Sequence, residues 1–163
     1  MSRSLGPRVP DPVRRRLEDD PAHQVGLTIL VLTLADERWP HLAMVSVGEL
    51  VVVGADRLAL ALWPASTSAA NLARSRQATL ALVTDGRAFS LRCRSDHEQL
   101  LPPAGDHPPL RGFELTVADV IEDAAPYADL LAGVTYRLYD PEATLSRWSA
   151  TRAALRGAFH GDA

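Results

Sequence analysis

The sequence predicts a mainly β (α+β) fold, an antiparallel barrel of six to seven strands with short helices at its periphery. Runs with a period of two, expected of strands with one buried face, recur along the chain; the clearest is R-L-A-L-A-L-W at 57–63. Consecutive runs are joined by hairpin signals, Asp85-Gly86 above all. Strands do not alternate with long helices, which argues against a parallel sheet.

Residues 1–10 contain Gly6, Pro7 and Pro10 and read as a loose arm. Asp11-Pro12 starts a short helix, because proline suits the first helical turn, and Pro21 ends it. Its Arg14-Arg15-Arg16 run stands beside Glu18, Asp19 and Asp20 and reads as a solvated face. Residues 25–35 are strongly β-prone and read as a central strand. Asp36-Glu37-Arg38 turns the chain, and Trp39-Pro40-His41 leads into a strand over 42–47. Gly48-Glu49 bends it, 50–53 stays extended, and 54–57 turns into the strand that ends at Pro64, which has no N–H for a ladder.

Ser66, Thr67 and Ser68 are candidate caps for a helix carrying Leu72. Residues 78–83 and 88–94 form a hairpin, with Phe89, Leu91 and Cys93 on one face. Residues 95–112, rich in Pro, His and Asp, read as a long loop. A strand over 113–121, a short helix over 126–131 and a last strand over 133–139 follow. A final helix over 141–157 carries Leu145, Trp148 and Leu155 on one side. The 163 residues are expected to form one domain.

Apolar residues make up 47% and charged residues 23%, as in ordinary globular proteins. A net charge of −3 leaves no electrostatic footprint for nucleic acid. All 17 basic residues are arginine, which removes Schiff-base chemistry through lysine. Cys93 is the only cysteine, so no internal disulfide or thiolate zinc cage forms, and it reads as a small core residue. Asp96-His97-Glu98 and Asp106-His107 read as solvated loop residues, and no metal site is expected. There is no secretory h-region, and 25–34 is too short to cross a bilayer, so a cytoplasmic chain without membrane or nucleic-acid partners is expected.

The candidate binding feature is the start of the 66–76 helix. Free N–H groups, the positive end of the helix dipole, three hydroxyls and Arg74 suit a phosphate; an ordinary cap with solvated arginines is the other reading. Trp63 either stacks near a bound ring or fills the barrel end.

The order of elements from 12 to 94 resembles the FMN-binding split β-barrel family, the pyridoxamine 5′-phosphate oxidase-like proteins. The residues that carry the resemblance are Pro40-His41 before 42–47, and S-T-S-A-A-N-L at 66–72 before 78–83. The resemblance implies a split β-barrel homodimer with flavin at the subunit interface. It also implies that Ser66, Thr67, Ser68, Asn71 and Arg74 contact phosphate and ribityl, and that Met44, Val45 and Ser46 line the ring, with Trp63 nearby. Many flavin-binding members carry basic residues where Ser68 and Ala70 stand; here Thr67, Ser68 and helix N–H groups would hold the phosphate, with Arg74 or Arg76 supplying charge. FMN is the expected cofactor, with a deazaflavin, haem or no cofactor as alternatives. If catalytic, such a protein is an oxidoreductase passing hydride between flavin and a small substrate; catalytic residues are not identified. The alternative is a non-enzymatic dimeric binding module.

Overall fold

The computed structural model describes residues 1–36 and 38–160; Glu37 of the expected 36–38 turn lies outside them. Strands β1 (Ser2–Ser4), β2 (Thr28–Leu34), β3 (Pro40–Ser46), β4 (Leu50–Val52), β5 (Arg57–Leu62), β6 (Gln77–Thr84), β7 (Arg87–Leu100) and β8 (Arg111–Asp123) form one antiparallel sheet. Seven run in the order β3-β2-β6-β7-β8-β5-β4, and β1 pairs with β8 off this path. The sheet curls into a half-barrel, the split β-barrel expected from the sequence.

Two long strands drive the curl. β7 and β8 pair along nearly their whole length, with register shifts between Arg92 and Cys93 and between Ser95 and His97. Such bulges add twist and bend the ladder. The other edge of β8 is shared: β5 takes Arg111 to Thr116, and β1 takes Ile121 to Asp123. Asp85 and Gly86 both adopt positive φ between β6 and β7, the geometry a tight hairpin requires.

The alternation in β5 has a consequence on both faces. Leu58, Leu60 and Leu62 enter the main core with Ile29, Val31, Leu80, Phe89, Leu91, Phe113 and Leu115. Helix α1 (Asp11–Glu18) adds Val13 and Leu17, and helix α2 (Thr67–Ser75) adds Leu72. Ala59 and Ala61 face the other way, into a smaller cluster with Val51, Val53, Leu101, Leu155 and Phe159. Helix α3 (Pro141–Phe159) packs there, and the alanines let it lie close to the sheet.

Four sequence expectations are corrected. The 1–10 arm is not loose: Ser2, Arg3 and Ser4 pair with Asp123, Glu122 and Ile121. Polar side chains hold it, with Arg3 Nε donating to Glu122 at 2.9 Å and the Ser4 hydroxyl to Asp119 at 2.6 Å, so no apolar period marks it. The 95–112 loop shrinks to 101–110, because β7 continues to Leu100 and β8 begins at Arg111. That extension is also polar; Arg111 bonds Glu98 at 2.6 Å and the Thr116 hydroxyl bonds Asp96. Neither the 126–131 helix nor the 133–139 strand forms. The chain there makes isolated bridges, Gly86 to Leu130 and Ala125 to Ala128, and then runs as irregular chain, bent at 133–134 and 139–140, into α3.

Arg3 and Arg87 both bond Glu122, at 2.9 and 3.0 Å. Burial pushes this carboxyl up, but the hydrogen bonds and charges of Arg87 and Arg3 outweigh it and hold it below its ordinary 4.5. A depressed folded-state pKa stabilises above the unfolded value and ceases to do so as pH falls through the folded one. The expected outcome is that Glu122→Gln lowers the urea midpoint at pH 7 and brings its fall between pH 5 and 3 below that of wild type. An equal acid-induced fall in both proteins, by circular dichroism, would refute this role.

Candidate functional site

A cleft of about 790 Å³ opens between β3, the end of β5, the start of α2, the irregular 134–140 segment and α3. Its size is within the usual range for a small-molecule or cofactor site. Each wall has a local cause. At the start of α2, Ser66 takes extended dihedrals and its hydroxyl accepts from the Ala69 N–H at 3.1 Å. The preceding helical N–H groups, of Thr67 and Ser68, have no carbonyl one turn back to bond within the helix. α3 starts the same way, with the Asp140 carboxylate accepting from the Ala143 N–H at 3.1 Å and Pro141 in the first turn.

The polar side of the cleft is built on the β3–β4 turn. The Glu49 carboxylate accepts from the Ser46 N–H at 2.8 Å and from the Ser46 hydroxyl, while Ser46 Oγ accepts from the Gly48 N–H at 3.2 Å. Arg147 Nη1 stands 3.7 Å from Glu49, close enough for charge attraction but beyond a hydrogen bond. The Trp148 ring lies on Gly48, where a Cβ would overlap it. Thr28 Oγ1 and Trp148 Nε1, on residues of the lining, are shielded from solvent and have no hydrogen-bond partner; Trp148 Nε1 lies against Gly48 in the β3–β4 turn. Burial raises the Tyr136 phenol above its ordinary value, with the Glu49 charge adding to the rise, so at neutral pH Tyr136 is a donor.

Of the residues expected at a binding site, Met44, Val45, Ser46, Trp63, Ser66 and Ser68 line this cleft. Thr67, Asn71 and Arg74 do not. Asn71 is buried and donates to Thr33 Oγ1 at 3.1 Å. Arg74 donates to the Leu34 carbonyl at 2.6 Å and pairs with Asp36 at 2.8 Å. The two residues tie α2 to the end of β2. Arg76, left-handed at the helix end, donates to the carbonyls of Ser95 and Asp96 at 2.9 and 2.7 Å.

Sequence reasoning missed Thr28, Glu49, Tyr136, Arg137 and Arg147. Arg147 adjoins Trp148 on the last helix, which is the one local signal that pointed near it. Cys93 is buried, and burial pushes its thiol up to about 12, which makes it inert at neutral pH. Among the described residues, no three His, Cys, Asp or Glu side chains gather as a metal site, and no helix is long and apolar enough to cross a membrane.

No protein-family model matches the chain. It is similar to the uncharacterized protein YclD of Bacillus subtilis, 35% identical over 127 residues, which cover 76% of this chain and 79% of that protein. Among solved structures it is similar to an FMN-binding protein from Syntrophomonas wolfei, with a TM-score of 0.51, 14% identity and coverage of 69% and 88% of the two chains. HupZ from Group A Streptococcus gives a TM-score of 0.55 at 8% identity, over 71% and 99%. A candidate pyridoxamine 5′-phosphate oxidase from Lactobacillus delbrueckii gives 0.50 at 12% identity, over 72% and 97%. At such identities these structural likenesses speak to the fold.

The packing of Trp148 on Gly48 positions the α3 wall of the cleft. Gly48→Ala is expected to displace the ring and to cost about 1–3 kcal/mol, as overpacked cores do. Denaturant titration and the tryptophan emission maximum check this; an unchanged midpoint and spectrum would refute it.

Proposed function

We propose that this chain, which belongs to the same family as YclD of Bacillus subtilis and carries the split β-barrel fold, binds a flavin-type cofactor, FMN first, in the cleft between β3 and α3. The single observation that carries the reading is a cleft of about 790 Å³ that brings the β3 edge strand, the open start of α2 and the side chains of Trp63, Tyr136 and Arg147 together. A flavin offers polar ring edges, hydroxyls and a phosphate to such groups. The FMN-binding relative in fold supports the choice of cofactor class.

Met44, Val45 and Ser46 of β3 are the residues for the ring, chiefly through backbone groups on the strand's unpaired edge. Trp63, half exposed beside it, offers an aromatic face. Ser66, Ser68 and the first N–H groups of α2 are the residues for the phosphate. A flavin, when bound, supplies hydride and electron transfer, and the protein positions it. On this reading the activity is oxidoreduction of a small substrate.

The same reading makes the chain a homodimer. β3 is an edge strand, and Trp39, Leu42 and Met44 on or beside it are 73%, 51% and 59% exposed. An open edge with exposed apolar side chains invites pairing, and a second copy would cover it and close the cleft.

Purified protein soaked in FMN and desalted is expected to keep absorption bands near about 370 and 450 nm. A protein that stays colourless would sink the FMN assignment. Light scattering is expected to give twice the chain mass, and Met44→Arg is expected to shift it toward the monomer; a monomeric wild type would remove the dimer.

A further inference from the structure

We propose that Arg147 of α3 is the cation that anchors the phosphate monoester end of the bound ligand, in place of the arginines of α2. The inference rests on the cofactor reading above and goes beyond it by naming the charge partner. A phosphate carrying nearly two negative charges is held best by charge-assisted hydrogen bonds, and the start of α2 supplies only hydroxyls and N–H groups. Ser68 and Ala70 are not basic. Arg74 and Arg76 are both spent elsewhere, on the Leu34 carbonyl and Asp36, and on the carbonyls of Ser95 and Asp96.

The cleft nevertheless contains cations. Arg147 and Arg137 line it together with Ser66 and Ser68. Arg147 is the better placed of the two. Its side chain is only 25% exposed, and its helix is fixed against the sheet. Its carboxylate neighbour, Glu49 Oε1, lies at 3.7 Å, beyond hydrogen-bond distance, so it does not take up the guanidinium donors. Asp140, the other acid in the lining, is used as the cap of α3. Arg137 is exposed on the irregular 134–140 segment and adds charge from the rim.

FMN and riboflavin differ by the phosphate alone, so their relative affinity isolates the anchor. Dissociation constants for both, by flavin fluorescence at fixed ionic strength, are to be measured for wild type, Arg147→Ala, Arg147→Lys and Arg74→Ala. Wild type is expected to bind FMN about tenfold or more tighter than riboflavin. In Arg147→Ala the preference is expected to fall to about twofold, through loss of FMN affinity with riboflavin affinity unchanged. Arg147→Lys is expected to keep part of the preference, and Arg74→Ala all of it. Inorganic phosphate is expected to displace FMN and leave riboflavin bound. A full FMN preference in Arg147→Ala, or its loss in Arg74→Ala, would overturn the anchor and leave the flavin reading standing. A wild type that binds neither flavin would overturn both. Should Arg147→Ala fail to fold, the lysine variant and phosphate competition on wild type decide: an unaltered FMN affinity under phosphate would overturn the anchor.

Discussion

The position of the last helix depends on one buried guanidinium. Arg152 of α3 is 4% exposed and donates to three backbone carbonyls: Val47 at 2.7 Å, Leu50 at 3.3 Å and Leu17 at 2.8 Å. These belong to the β3–β4 turn, the start of β4 and the end of α1. Burial lowers its pKa, with the charge of Arg156 adding to the effect, yet an arginine stays charged throughout the physiological range. A buried charge is tolerated only where its donors are satisfied, so the helix cannot slide without stranding it. That constraint fixes Arg147 and Trp148, one turn earlier, on the wall of the cleft.

The sheet makes the opposite contribution. Its curl encloses a core on one face and leaves β3 as an edge on the other side of the cleft. The alternating alanines of β5 let α3 approach closely, while the leucines of the same strand fill the barrel. One strand therefore serves two packing layers, and the cleft lies where those layers meet the open edge.

The cleft's electrostatics come from pieces distant in the chain. Glu49 organises the β3–β4 turn, Arg147 faces it from α3, and α2 offers the positive end of its dipole. The arginines of α2 instead brace the barrel. Arg74 and Asn71 fasten the helix to β2, and Arg76 fastens its end to β7. Cations near a phosphate-like motif in sequence are thus structural in this fold, and those in the cleft arise elsewhere.

Local chemistry made much of the fold legible. Alternating or β-prone runs marked β2, β3 and β5 to β8, 50–53 read as extended where β4 forms, Pro64 and Ser66 marked the β5–α2 junction, and Asp85-Gly86 marked the β6–β7 hairpin. Each is a property of a few adjacent residues, which is why sequence alone determined it. β1 and the outer half of β7 escaped because polar cross-strand bonds hold them, and such bonds leave no apolar period. The 133–139 segment alternates like a strand, yet among the described residues it joins no ladder, and pairing rather than pattern defines a strand. The family resemblance brought Met44, Val45 and Ser46 to attention, and the strand and helix ends brought Trp63, Ser66 and Ser68; all six line the cleft. Only the tertiary structure decided that Thr28, Glu49, Tyr136, Arg137 and Arg147 join them and that Arg74 does not. The physical reason is that a cleft is made by long-range packing: the direction of Arg147 is set by the carbonyls that Arg152 finds far away in the chain, and nothing near residue 147 encodes it.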